Sequence, residues 1–350
     1  MTLLKRFQLL LFFLTGWIAT AQIPAYYNGV DLTKTGLDLK DELSTHIIST
    51  HHTALSYNDL WNVLKQTDEV PNDPTKVFLI YGWEAGNDAD CHNDIMRDEN
   101  DNGGNSIDCD WNREHVYPKS LGTPNLGTSG PGSDAHHVRP SDVNMNSQRG
   151  SKKFKNSSGN AHVVNGNYWY PGDQWKGDVA RIIMYMYLRY GSQCLPDNVG
   201  VGNPVAGDPD MIDLFLQWNA DDPPSAVEDQ RNTVLENIQG NRNPFIDNPY
   251  LATIIWGGPV ALDRWNMSVN EEKLKQDVRV YPNPAHQFLR VQNQGEPISI
   301  RLTDTTGRVL RYQSGIEQEV EIPVESLPAD VYWLIISTRK AQIIKPFIKN

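Results

Sequence analysis

Residues 108–120, DCDWNREHVYPKS, place an acid directly beside a histidine, Glu114–His115, with Arg113 before them and Lys119 just after. A second stretch, SDAHHVRPSDVNMNSQRGSKKF at 133–154, adds histidines, arginines and amides. If His115 ends a strand or sits in an extended loop, neighbouring side chains leave on opposite sides, so Glu114 and His115 cannot both chelate one ion as strand neighbours. A division of roles fits better: the carboxylate holds a hard cation while the imidazole faces a water molecule. Histidine suits proton abstraction because its unperturbed pKa lies near neutrality. Phosphodiester hydrolysis asks for such a base, for a metal that polarises the phosphate, and for cationic donors around it. Arg139 and Arg149 supply donors, and Asn144 or Asn146 a neutral oxygen ligand. Oxygen ligands completed by water select magnesium or calcium rather than zinc.

Each signal also has a plainer reading. A lone Glu-His pair is commonly surface decoration. His136 and His137 are adjacent and diverge in a strand, and no HExxH helix occurs, which counts against zinc. Asp98, Asn100, Asn102 and Gly103 match the first half of a calcium loop, but its twelfth position is Cys109 instead of Glu, so a solvated acidic loop is the better expectation.

The elements that must carry these residues show in the periodicity. SYNDLWNVLK puts Tyr57, Leu60, Trp61 and Leu64 at helical spacing, and KVFLIY reads as a short buried strand. GDVARIIMYMYLRYG repeats the helical spacing through Val179, Ile182, Ile183 and Met186 and stops at Gly191. DMIDLFLQW is another helix, and SAVEDQRNTVLENIQG opens with Ser225 and Glu228 in capping-box spacing and closes at Gly240. Beyond about residue 270, VRVYPNPAHQFLRVQ, ISIRLTDTTGRVLRYQ, EQEVEIPVESL and DVYWLIIS alternate apolar and polar residues between turn signals, as in a small all-β sandwich. The chain is therefore expected to be α+β: a mainly helical domain at 22–265, a charged linker at 266–276 and a β domain at 277–350.

The first 21 residues have a Lys5-Arg6 n-region, an apolar run from Phe7 to Ile18 and an Ala19-Thr20-Ala21 cleavage site. That run is shorter than the roughly 20 residues needed to span a bilayer. A signal peptide is expected, with Gln22 opening the mature protein and no membrane span after it. Three cysteines cannot all pair within one chain. Cys91 and Cys109 flank the acidic loop and form the favoured pair, leaving Cys194 single; three buried thiols stay open as the alternative. A net charge of −12 argues against a general polyanion binder. Between Arg113 and Arg189, however, basic residues outnumber acids, which marks a basic patch in an acidic protein.

NREHVYPKS, DAHHVRPSDVNMNSQRG, WKGDVARIIMYMYLRY and NRNPFIDNPYLATIIWG occur in this order across most of residues 50–257. Together they resemble the endonuclease I family, secreted or periplasmic non-specific nucleases of the ββα-metal (His-Me finger) superfamily. The resemblance implies a strand–loop–helix site with His115 as general base, Glu114 and Asn146 as metal ligands, and Asp134 and His136 as supports of the loop and base. It implies an arginine on the scissile phosphate, for which Arg113, Arg139 and Arg149 are the candidates. The implied cofactor is magnesium, with calcium or manganese as alternatives. The implied substrate is DNA, with RNA also open, cut by water to 5′-phosphate ends with little sequence preference by a monomeric protein.

VYPNPAHQFLRV, LTDTTGRVL, LPADVYWLII and KPFIKN, over about 277–350, resemble the type A sorting domain of the type IX secretion system. This implies export by that machinery to the medium or the cell surface and removal of the domain; an accessory domain for surface glycans is the alternative. Two other functional readings stay open at this point. One is a non-catalytic surface-binding protein that uses the β domain. The other is a phosphatase or peptidase, against which the lack of a multi-carboxylate or HExxH set counts.

Overall fold

The computed structural model describes residues 23–86, 88–103, 109–338 and 341–350, apart from the side chains of residues 269 and 270. The expected signal peptide, with Gln22, lies outside the described residues, as does the second half of the acidic loop at 104–108. The described chain is mixed, 34% helical and 27% strand, in agreement with the α+β expectation.

The first domain opens with helices α1 (Gly36–Thr50) and α2 (Leu60–Thr67). Strands β1 (Glu69–Val70), β2 (Asp73–Phe78) and β3 (Met96–Asp98) then form an antiparallel sheet in that order. The apolar run KVFLIY is thus only partly strand: Leu79, Ile80 and Tyr81 are buried beyond the end of β2. Strands β4 (Trp111–His115) and β5 (Val138–Asp142) pair antiparallel, with Glu114 opposite Arg139 and His115 opposite Val138, and α3 (Val143–Arg149) follows β5 without a gap. A three-stranded sheet of β6 (Lys153–Phe154), β7 (His162–Val164) and β8 (Tyr168–Tyr170) comes next, with β8 in the middle.

Helix α4 (Lys176–Tyr190) is the spine of the core. The sequence spacing marked one apolar stripe, but every residue from Gly177 to Leu188 is buried. Its charged residues enter the interior paired, since Arg181 makes a bidentate contact with Glu228 at 2.6 and 2.7 Å. The helix stops at Gly191, whose φ of 53° lies in the left-handed region. A short hairpin, β9 (Pro204–Val205) with β10 (Asp208–Ile212), leads into α5 (Asp213–Asp221), so the expected helix at DMIDLFLQW starts three residues later than the motif. In α6 (Ala226–Gln239) both bonds of the Ser225/Glu228 capping box form, and Gly240 closes the helix. Helices α7 (Pro244–Asp247) and α8 (Tyr250–Trp256) complete the domain.

The segment expected as a charged linker takes the form of helix α9 (Met267–Asp277), since Glu- and Lys-rich sequence suits a helix as well as a solvated tether. Met267 belongs to the core of the first domain and Leu274 to that of the second. The C-terminal domain has seven strands in two antiparallel sheets, as the alternation predicts. One sheet orders β11 (Val278–Tyr281), β12 (Phe288–Asn293) and β15 (Glu319–Pro323). The other orders β14 (Val309–Ile316), β13 (Ile298–Thr303), β16 (Asp330–Ser337) and β17 (Gln342–Lys349). Every second residue of β12 is buried, including Leu289 and Val291, which pack with Ile300, Leu334 and Phe347. Among the described residues no helix is long and apolar enough to cross a membrane.

Cys91 and Cys109 form the expected disulfide, with Cα atoms 5.6 Å apart, and Cys194 is single and buried. The bridge closes the acidic loop just before β4. Replacing both cysteines by serine is expected to lower stability by about 3 kcal/mol for a loop of this length, measured by denaturant unfolding.

Candidate active site

Strands β4 and β5 and helix α3 place the chemistry-bearing residues around one cavity of about 400 Å³. Arg113, Glu114, His115, Lys119, Asn146 and Arg149 all line it. The helix is fixed at its start by Asp142, whose carboxylate accepts from the amides of Asn144 and Met145 at 2.8 and 3.0 Å. The same carboxylate takes Arg97 Nη1 at 2.8 Å, which ties α3 to the disulfide loop. Asn146 and Arg149, three residues apart, thereby face the end of β4 together.

His115 is 7% exposed. Its Nε2 lies 3.0 Å from the Gly132 carbonyl. A carbonyl only accepts, so Nε2 carries the proton and Nδ1 keeps the lone pair. No described residue hydrogen-bonds to Nδ1. Burial pushes the imidazole down to about 3, with His137 beside it as the second cause, so the ring is neutral at neutral pH. Gly132 cannot be another residue without movement: a Cβ there would stand 2.1 Å from the Gly127 carbonyl oxygen.

Glu114 is 3% exposed. Its Oε1 accepts from the Tyr81 hydroxyl at 2.9 Å, and Arg149 Nε lies 3.2 Å from the same oxygen, within ion-pair range but misaligned for a hydrogen bond. Burial raises this carboxyl to about 7, against the lowering influence of Arg149 and Tyr81. The His115 backbone amide also approaches this carboxylate, and no described side chain bonds Oε2. Asn146 donates Nδ2 to Asn112 Oδ1 at 2.6 Å, which leaves its own Oδ1 without a hydrogen-bond partner among the described residues. One carboxylate oxygen and one amide oxygen, both uncommitted and on one cavity, are a donor set that fits a hard divalent cation completed by water. No cluster of three or more His, Cys, Asp or Glu with metal-site geometry occurs among the described residues.

The other predicted residues divide sharply. Asp134 is buried and accepts from Tyr185 and Tyr190 hydroxyls, Gln239 and the His136 amide at 2.8–3.0 Å, so it anchors the loop before β5 to α4 and α6. His136 Nε2 bonds to the Asn241 carbonyl and His137 Nε2 to that of Pro131. The two histidines lie in the turn before β5 and turn to different partners. Arg139 is a correction. It is fully buried, bonded to Asp68 at 2.7 Å and Asp178 at 2.9 Å, and it does not line the cavity. A guanidinium inside the protein between two carboxylates cannot reach a bound phosphate. Arg149 and Arg181 are equally buried, so the basic segment is only partly a surface patch. In the acidic loop Lys65 donates to Asn100 Oδ1 at 2.9 Å, which occupies one of the oxygens that a calcium loop would use.

Sequence reasoning missed Tyr81, Asn112, Gly132 and the true place of Tyr57. Tyr81 has a φ of 78°, rare for a bulky residue, at a cost of about 1–3 kcal/mol. That turn of the chain sends its hydroxyl to Glu114. Tyr57 precedes α2 instead of lying on it, and its ring stacks on His115.

Residues 35–250 match the family described as Endonuclease I, and residues 279–350 match a secretion system C-terminal sorting domain. The chain belongs to the endonuclease I family and carries a type IX sorting domain at its C-terminus. Two curated relatives are extracellular ribonucleases. The one from Bacillus subtilis (strain 168) is 44% identical over 67% of this chain and 80% of its own length. The one from Bacillus amyloliquefaciens is 42% identical over 68% of this chain and 80% of its own. A solved structure of PorZ, a surface component of the type IX secretion system of Porphyromonas gingivalis, covers 22% of this chain and 12% of its own at 22% identity. Its TM-score of 0.21 bears on nothing further. The protein is a nuclease, a hydrolase that is secreted or held at the cell surface. The reading as a non-catalytic surface-binding protein falls with that assignment.

Proposed function

We propose that the protein is a monomeric, metal-dependent endonuclease of the His-Me finger type that hydrolyses RNA and DNA to 5′-phosphate ends. The observation that carries this reading is a neutral imidazole, its lone pair on Nδ1, on the same cavity as the free oxygens of Glu114 and Asn146. His115 Nδ1 takes the proton of a water whose oxygen attacks phosphorus, the P–O3′ bond breaks, and the departing 3′ oxygen is protonated from solvent. The Gly132 carbonyl holds the imidazole in the required tautomer and steadies the imidazolium as it forms. A divalent cation on Glu114 and Asn146, magnesium in our reading, would polarise the phosphate and stabilise the departing oxygen. Because water and not a ribose 2′-hydroxyl is the nucleophile, the same site serves both nucleic acids. The ribonuclease relatives support RNA as a substrate.

Digestion of plasmid DNA and of a single-stranded RNA with magnesium, with and without EDTA, tests the reading. Cleavage of both with 5′-phosphate products is expected. Cleavage of RNA alone with 2′,3′-cyclic ends would overturn the water mechanism. Glu114→Gln is expected to lower the rate at fixed magnesium at least about a hundredfold. Protons and cation compete for the same carboxylate, whose pKa without the ion is about 7. The magnesium needed for half-maximal thermal stabilisation is therefore expected to rise about tenfold for each pH unit below 7 and to level off above it.

A further inference from the structure

We propose that Arg113 is the side chain that fixes the phosphate in the cavity, and that Tyr57 is a positioning residue that aligns Arg113 with His115. The proposal rests on the nuclease reading above and selects among its three candidate arginines. Arg139 is committed to Asp68 and Asp178 in the interior. Arg149 is fully buried, with Nη1 on the Gly150 carbonyl, Nη2 on that of Val116 and Nε beside Glu114, so it acts on the carboxylate. Arg113 differs on each point. It is half-buried, lines the cavity and forms no ion pair with a described carboxylate. Its one side-chain hydrogen bond to a described residue runs from Nη1 to the Tyr57 carbonyl at 2.5 Å.

What holds Arg113 is aromatic. Its guanidinium carbon lies 3.6 Å from the centre of the Tyr57 ring and 4.2 Å from that of Trp61. Stacking of this kind grips the plane of the guanidinium and leaves its in-plane N–H donors for an anion. The Tyr57 ring also stacks on His115, with centroids 5.6 Å apart and planes 20° apart. Arg113 and His115 are two residues apart on β4 and leave it on the same side. One aromatic ring therefore touches both the base and, of the two cavity-lining arginines among the described residues, the one that is not fully buried. With Arg113 and His115 packed on it, the ring is not a platform for a nucleobase; its work is to set the distance between the phosphate and the lone pair. The Tyr57 hydroxyl has no hydrogen bond to a described residue, so the ring and not the oxygen does this.

The test is steady-state cleavage of a defined oligonucleotide by the full chain with magnesium, with thermal midpoints recorded for each variant. Arg113→Gln is expected to lower kcat/KM about tenfold or more, and to make the fall of log kcat/KM with log salt shallower by about one phosphate contact. Arg113→Lys should restore the salt slope and only part of the rate. Tyr57→Leu is expected to lower kcat on the order of tenfold, and Tyr57→Phe to recover most of it. Arg113→Gln within twofold of wild type, with an unchanged salt slope, would overturn the proposal. So would a Tyr57→Phe variant as damaged as Tyr57→Leu. If Tyr57→Leu fails to fold, Arg113→Gln decides alone. An inactive His115→Ala beside a normal Arg113→Gln sinks only this assignment, whereas a wild type that cleaves no nucleic acid removes the nuclease reading with it.

Discussion

His115→Ala is expected to lower phosphodiester cleavage by about 10²–10⁴-fold while the protein stays folded. Among the described residues the side chain makes one hydrogen bond, to the Gly132 carbonyl, and otherwise packs against Tyr57 and His137. Its removal leaves no buried charge behind, because the ring is neutral in the fold. The pH profile gives a second readout. A base held down to about 3 remains deprotonated throughout the range in which the protein is folded and binds its cation. The acid limb of wild-type activity should therefore follow Glu114, near 7 without the ion, and shift to lower pH as magnesium is raised. A limb fixed near 6.5 at all magnesium concentrations would point to titration of an ordinary, solvated histidine instead. Near-wild-type activity in the alanine variant would exclude His115 as the base.

Arg139→Met is expected to do the opposite, costing stability and not chemistry. The guanidinium sits between Asp68 and Asp178, and both carboxylates are buried with it. Removing one partner of a buried charge network leaves the other charges poorly compensated, at a cost of about 3–5 kcal/mol. For a domain of this size that corresponds to a fall of about 10 °C in Tm. Asp68 keeps Arg231, whereas Asp178 keeps only the more distant Arg181 at 3.8 Å, so the burden falls on Asp178. Burial and the neighbouring Glu228 already push that carboxyl upward. Calorimetry together with kcat normalised to folded protein separates the two effects. A variant of native stability with lost activity would put Arg139 back among the phosphate-binding candidates.

The contrast between Arg139 and Arg149 shows where sequence reading stops. Both lie in the second chemical stretch and both look like phosphate donors. What separates them is partners far away in the chain, Asp68 being 71 residues from Arg139. Tyr57 and Gly132 escaped for the same reason: a ring stacked on a residue 58 positions further along the chain, or a carbonyl turned toward an imidazole, leaves no periodic trace. Signals confined to one segment read well. The Ser225/Glu228 box, the stop at Gly191 and the alternation of β12 each depend on neighbours within a few residues. The helical form of the charged segment at 266–276 went unread for a compositional reason, because charge content alone does not separate a tether from a helix. His115, Glu114 and Asn146 were legible as chemical types, and the fold brings them to one cavity.

The hydrophobic core of the β domain shares no residue with the two clusters of the first domain, and every side chain that lines the cavity or supports Glu114 and His115 precedes residue 250. The passport and the blade are thus separate bodies of one polypeptide. Cutting the chain beyond Met267 would remove the β-sandwich and leave each contact around the imidazole in place. Selection can therefore exchange the export tag without retuning the catalyst, and the catalyst without losing its route out of the cell.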